Sequence, residues 1–445
     1  MDKRDYAILA GIAVLVVAVG ALTTRQPLGQ FLADGAIEAA TTTVAMAWIT
    51  WWALVVGFAI AGGVEAWVSS EAIADHLDGY GLRELGLGAF FGFVSSSCSY
   101  SAIATAKNLF KKGASAGASL GAFMFASTNL VIEIGFVMWL LLGWQFVLAD
   151  FLGGLVLIVL LAGTFRYLVS DDLIERAREH VQGDAETVRD PNCGMEVDPD
   201  ETEYAKTVDG QTYYFCSASC MNGWDPEEAN TTIAENLTSL AGWQDLADKQ
   251  WKEWDMLWDE IAIGFVFAGL VAGFVPEALW HAVFGGPILG MPTYVVWTAI
   301  LGAAIGIVTF VCSVGNVPFG TILWTNGLPF GSVLSYIYAD LVIPPIVEAY
   351  VEYYGARFAA VLSGTIFVAA VITGVLMHLL FGAAGLIPPR SAAHVAEISI
   401  ELNYKAVLNV LATALFLVLY WLHRTDRFDE PAGGHGEHDH AHASD

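Results

Sequence analysis

Runs of about 20 apolar residues recur along the chain, at about 6–22, 41–68, 85–106, 116–142, 144–168, 259–281, 293–323, 330–352, 356–382 and 402–422. A helix of that length crosses a hydrocarbon core of roughly 30 Å. Only helices and closed barrels satisfy their own backbone in lipid, and the alternating pattern of a barrel strand is absent. The sequence therefore predicts an all-α polytopic membrane protein with about ten transmembrane helices. A polar stretch, residues 170–260, divides them five and five and reads as a small α+β soluble insert. An odd number of spans per half forces opposite orientations, so the expected architecture is a 5+5 inverted repeat with its site at the repeat interface.

The chain divides into a first repeat (1–169), a charged linker (170–188), a small module (189–230), an amphipathic helix (231–258), a second repeat (259–422) and a polar tail (423–445). The head MDKR followed by 6–22 has the layout of a signal peptide, but Ala18-Val19-Gly20 is a poor cleavage site, so the helix is expected to be retained. In 231–258, Trp243, Leu246, Trp251, Trp254, Leu257 and Trp258 recur at spacings of three and four. That stripe, rich in tryptophan, predicts a helix lying along the membrane interface before turning into the next span.

The polar centre is duplicated. Gly92, Cys98, Ser99, Gly113 and Gly117 recur without a gap as Gly306, Cys312, Ser313, Gly327 and Gly331, 214 positions later. Small residues let helices break or approach closely where they line a cavity. Soft ions bind thiolates, so Cys98 and Cys312 are candidate ligands at a pseudo-twofold axis, with Ser99, Ser313 and Asn316 beside them. A single cysteine in such a place is otherwise a small packed hydrophobe. Asn129 and Glu133 are four apart and would share one helical face. Asp340 and Glu348 bracket the helix-breaking Pro344-Pro345. Ionisable groups in spans are costly and tend to be functional, so Glu133 and Asp340 are candidate proton carriers or ligands.

Net charge is −27, and residues 170–260 hold 23 acids against 6 Lys and Arg. Such a surface repels nucleic acids and phosphates, and it is also the surface of a protein adapted to high salt, so it excludes partners rather than naming one. No G-x-x-x-x-G-K-[ST] loop is present, so no nucleotide is expected to power the protein. Five cysteines, three of them in the insert, are no disulfide framework. Cys216 and Cys220, four apart, face the same way on a turn or helix start. With Cys193 they suit Cu(I) or Zn(II). The alternative for these cysteines is a small fold in which they are buried and inert. In the tail, His435, His438, His440 and His442 alternate with acids. Such a tract is a weak Zn, Ni or Cu binder or simply a solvated tail.

The insert motifs DPNCGMEV and TYYFCSASC resemble a YHS domain, a metal-associated module, over about 189–228. The membrane motifs SSSCSYSAIATAKNLFKKGAS, FMFASTNLVIEIG, LLGWQFVLADFLGG, VCSVGNVPFGTILWTNG and YADLVIPPIVEAYVEYYG resemble the predicted permease family that includes ArsP-type organoarsenical exporters. The resemblance implies export of a soft heavy-metal ion or trivalent metalloid through membrane cysteines. Many relatives carry Cys-Ser-Cys-Gly where this chain reads Cys98-Ser99-Tyr100-Ser101. A two-thiol site here must therefore join Cys98 to Cys312.

The expected function is a gradient-driven permease of the cell membrane rather than an enzyme. It would need no organic cofactor, hold Cu or Zn at the insert, and work with the lipid bilayer and a cytoplasmic metal donor. The alternative is a membrane-anchored metal sensor or delivery protein in which the insert is the working part. A thiol redox enzyme is disfavoured by the absence of a C-x-x-C pair. Placing both termini opposite the insert leaves Lys3, Arg4, Arg83, Arg357, Arg424 and Arg427 on the terminal side and the rest of the 19 Lys and Arg on the insert side. The positive-inside bias then predicts a cytoplasmic insert, residues 170–258, and an external tail.

Overall fold

A computed structural model describes residues 3–24, 26–67, 77, 79–95, 99–183, 188–189, 196–197, 199, 202, 204–208, 211–215, 217, 220–221, 238–284, 291–309, 313–390 and 404–429. The first half comprises α1 (Lys3–Thr23), α2 (Leu28–Trp67), α3 (Leu82–Ser95), α4 (Ser99–Lys111), α5 (Gly117–Asn129), α6 (Ile132–Leu141) and α7 (Trp144–Tyr167). After α8 (Asp171–Gly183), the insert contributes two antiparallel hairpins, β1 (Val188–Arg189) with β2 (Glu196–Val197) and β3 (Ala205–Val208) with β4 (Gln211–Tyr214). The second half comprises α9 (Leu240–Phe274), α10 (Glu277–Phe284), α11 (Met291–Thr309), α12 (Ser313–Thr325), α13 (Phe330–Val342, its last turn 3-10), α14 (Pro344–Tyr354), α15 (Ala356–Ala383) and α16 (Tyr404–Asp429).

Among the described residues, four helices are long and apolar enough to cross a membrane, within α2, α7, α15 and α16, and six if each of the bent pairs α5–α6 and α13–α14 counts as one span. The sequence suggests about ten. Four runs make the difference: 85–106 and 293–323 are each a pair of short helices rather than one span, and in 6–22 and 259–281 only the shorter stretches Ala13–Thr23 and Ile261–Phe274 are apolar helix. The ends of α3 and α4 lie together: the Ser115 hydroxyl donates to the Gly79 carbonyl at 2.7 Å, and the Ser115 amide donates to that of Leu77 at 2.9 Å. The second pair does the same at the far face. Tyr294 at the start of α11 donates to Phe284 at 2.7 Å, and Arg390 holds the Gly327 carbonyl, just past α12, at 2.8 Å.

The expected placement of the termini therefore changes. Arg178 of α8 donates to the carbonyls of Phe110 and Ala114 at 2.5 and 3.1 Å, which fixes the α4 end on the insert's face. α16 ends there too, since His423 hydrogen-bonds Asp248 near the start of α9. Gly20, near the end of α1, abuts Phe274 at the end of α9, on the opposite face. α1 packs alongside α9 through Val16, Val17 and Leu270 and so runs parallel to it. Both ends of the described chain thus lie on the insert's side, because α3–α4 and α11–α12 each enter and leave by one face.

The expected bend between an interfacial helix and a span at about 259 is also replaced. Leu240–Phe274 is one unbroken helix of 35 residues, its start capped by the Ser239 hydroxyl accepting the Gly242 amide at 3.0 Å. Its tryptophan stripe meets other helices: Trp254 packs edge-on against Phe58, and Trp251 against Phe416 and Tyr420. Helical neighbours thus cover Trp251 and Trp254, while Trp243 and Trp258 stay exposed.

The duplication extends into the backbone. α4 and α12 begin at the equivalent Ser99 and Ser313. The equivalent Gly113 and Gly327 close these helices at φ of +108° and +116°, where a side chain is strained. A Cβ at Gly92 would strike the Phe123 carbonyl, and one at Gly306 the Tyr336 carbonyl. In each half, a glycine-faced helix thus leans directly on the backbone of a bent one.

Candidate transport site at the paired helix breaks

The two bent helices interrupt themselves at equivalent depths. α5 opens as a π-helical turn through Phe123 and ends at Asn129. Leu130 (φ −97°, ψ +34°) and Val131 (φ −97°, ψ +155°) leave the helix, and α6 departs at 49°. π-helical turns and mid-span breaks recur at functional sites. In the second half, Ile343 is extended (φ −66°, ψ +147°) and Pro344-Pro345 restart the chain as α14 at 45°. Proline suits the first turn of a helix, where its missing N–H has no partner to lose.

Side chains from both halves meet between the breaks. Asp340 is 1% exposed, Asn129 is wholly buried and Ser313 nearly so. The Asn129 amide donates to Asp340 Oδ1 at 3.1 Å and also to Thr128 Oγ1 at 3.1 Å. The Ser313 hydroxyl donates to Asp340 Oδ2. Each carboxylate oxygen thus has one donor, the Asn129 donor reaching across 211 positions of sequence. Ser313 is the first residue of α12 and follows Cys312 in the chain. Asn316, one turn on, accepts the Tyr336 hydroxyl at 2.7 Å, while its Nδ2 has no hydrogen-bond partner among the described residues. Asn129 Oδ1 is likewise unpartnered among them. Buried polar atoms are nearly always paired, so these two mark the centre as a candidate binding place.

Glu133 does not share a helical face with Asn129 as the four-residue spacing suggests. The break at Leu130 and Val131 lies between them. Glu133 sits in the first turn of α6, buried where Gly57 brings the α2 backbone onto its Cα and Cβ. Ser99 opens α4, but its side chain, like Cys98, Cys193, Cys216, Cys312, His435, His438, His440 and His442, lies outside the described residues. Cys220 is half-buried, and its amide lies 3.3 Å from the Ser217 hydroxyl. Among the described residues, no three His, Cys, Asp or Glu side chains are grouped to hold a metal ion.

One buried acid was missed by sequence reasoning. Asp150 stands in the middle of the apolar helix α7, wholly buried, and neither carboxyl oxygen has a hydrogen-bond partner among the described residues. The Tyr338 hydroxyl donates to its main-chain carbonyl at 2.9 Å. The signal was legible, because an acid inside a span marks a functional position. At the face opposite the insert, a cavity of about 480 Å³ is lined by Asp34, Glu38, Asn326 and Arg390 among others. Burial pushes the Arg390 guanidinium below its ordinary value, partly offset by Tyr294.

Several apolar helices, two broken at one polar centre, define a multi-pass membrane permease. Residues 36–379 match the family described as "Predicted permease" (ArsP_1), and the chain belongs to it. It is 37% identical over 338 residues to the protein described as "Putative permease Rv2963" of Mycobacterium tuberculosis (strain ATCC 25618 / H37Rv), covering 76% of this chain and 74% of that one. No solved structure matches.

Proposed function

We propose that this permease exports a soft metal ion or trivalent metalloid, of the Cu, Zn or As(III) class, along a path at the interface of two inverted repeats. An ion gradient drives it, and the YHS-like insert binds metal on the cytoplasmic side. The observation that carries the reading is the Asp340 centre, a buried carboxylate held by donors from both halves at two helix breaks. A buried anion draws cations, and the cysteines adjoining the equivalent Ser99 and Ser313 supply the softness that selects among them. An anchor for a sensor module needs neither a duplicated layout nor a polar centre in its membrane part.

With both ends of the described chain on the insert's face, the sequence between α1 and α2 and that from the end of α15 to the start of α16 hold three of the 19 Lys and Arg, Arg25, Arg390 and Lys405. That asymmetry exceeds the one expected with termini opposed, and it supports a cytoplasmic insert, head and tail. A cytoplasmic tail is then on the side from which an exported ion is collected.

The test is accumulation of Cu, Zn and As(III) in cells producing the wild type, Cys98→Ser or Cys312→Ser. Lower accumulation of one ion with wild type, lost in both variants, is expected. Equal protection by all three proteins against every ion would refute the thiol path. For the insert, reduced metal uptake by a Cys216→Ser full-length protein is expected, and unchanged stoichiometry would remove the metal role from the module.

A further inference from the structure

We propose that Asp150 is the proton-carrying group of the transport cycle, while Asp340 remains the anion that receives the substrate. This rests on the gradient-driven reading above and names the residue that reading leaves open. The argument starts from where the donors are. Asp340 takes one hydrogen bond on each oxygen, from Asn129 and Ser313. Donors of that kind favour the charged form of a carboxyl group. Among the described residues, no donor reaches either Asp150 oxygen in good hydrogen-bond geometry. The neighbouring Tyr338 hydroxyl makes its shorter hydrogen bond, 2.9 Å, to the Asp150 main-chain carbonyl rather than to the carboxyl. A wholly buried carboxylate without a donor keeps its charge only at high cost, and binding a proton removes that cost.

The two acids are coupled. Tyr338 and Asp340 are two positions apart on α13, and the Asp340 charge reaches Asp150. The elements packed on α7 also carry Glu133 on α6, Arg83 and Glu84 on α3, Tyr336 on α13, and Arg357 and His378 on α15. Of these, Asp340 is the one whose charge acts on Asp150, while the Tyr338 hydroxyl lies beside the Asp150 carboxyl as a neutral donor. Two neighbouring carboxyls, one held by side-chain donors from both halves and the other by none in good geometry, divide the roles: one stays ionised, the other holds the proton. A cation arriving at Asp340 offsets the negative charge that favours the Asp150 proton. The Asp150 O–H bond then breaks and the proton leaves toward one face. After the cation departs, a proton from the other face re-forms the bond. One proton moves against one substrate, with no change of oxidation state.

The experiment uses purified full-length protein in two formats. Infrared difference spectra in H2O and D2O follow the carbonyl stretch of a buried protonated carboxyl. That band is expected in wild type, Asp150→Glu and Asp340→Asn, and absent in Asp150→Asn, which mimics the neutral acid in shape. In proteoliposomes with Cu(I) or Zn(II) as probe, Asp150→Asn is expected to retain probe-for-probe exchange while losing flux driven by a pH gradient. Asp340→Asn is expected to lose both, and Asp150→Glu to retain gradient-driven flux. A band that survives in Asp150→Asn, or gradient-driven flux at the wild-type rate in that variant, overturns the proposal. If wild type moves neither probe, the substrate reading fails, and the infrared band alone still decides for or against a proton on Asp150.

Discussion

The Asn129–Asp340 hydrogen bond joins the two halves, and its strength reports the charge on Asp340. A double-mutant cycle of Asn129→Ala, Asp340→Ala and the pair isolates it. Neutral hydrogen bonds between membrane helices average about 0.6 kcal/mol and reach about 1.7. A bond to a charged group contributes about 1.5–3 kcal/mol. At 3.1 Å, with both partners essentially excluded from solvent, this pair belongs to the charged class if Asp340 is ionised. The expected coupling is about 2 kcal/mol, roughly thirtyfold in the unfolding constant. The assay is reversible unfolding of the four proteins in mixed micelles, followed by tryptophan fluorescence. Asp340→Ala alone should cost less than the sum of its two bonds, since it also removes a buried charge. A coupling energy at or below about 0.6 kcal/mol would refute an anionic Asp340 shared by the two halves.

Three further outcomes follow from the packing and the chain course. Gly306→Leu drives a side chain into the Tyr336 carbonyl and is expected to destabilise by about 1–3 kcal/mol, read as a fall in Tm; Gly86→Ala, where space is open, should instead stabilise by about 0.5–1 kcal/mol. Gly327→Ala forces a Cβ onto a backbone at φ +116° and is expected to cost about 1–2 kcal/mol, again by Tm. Reporter fusions at the head, within 222–230 and after the tail should all give cytoplasmic signals; a head or tail reporter active outside while the insert reads inside would refute the shared face.

Apolar run length makes the membrane class legible in the sequence, and the 214-position repeat points there to Ser313 and the equivalent glycines. Asn129 and Asp340 were legible as polar intruders, though nothing in sequence says that residues 211 apart hydrogen-bond. What misled was counting runs as spans. An apolar stretch with small residues at its centre reads the same whether it crosses or turns back, because both forms bury the same side chains. The Asn129–Glu133 pairing failed for a related reason: the break at Leu130 and Val131 carries neither glycine nor proline, and tertiary packing imposes it. Asp150 is hard to single out in sequence because it lacks a repeat partner and a polar neighbour, and the Tyr338 hydroxyl beside it lies 188 positions away.

The unbroken course of α9 has a mechanical consequence. Thirty-five residues at 1.5 Å each make a rod of about 52 Å, against roughly 30 Å of hydrocarbon. Tilt absorbs only part of the excess, so a stiff length of α9 stands out of the lipid. The chain leaving the insert therefore enters the bilayer by way of a strut rather than a flexible tether, and a tilt of the inner end levers the outer one. Shortening or kinking that strut with a proline outside the lipid would uncouple the insert from the spans while leaving each intact.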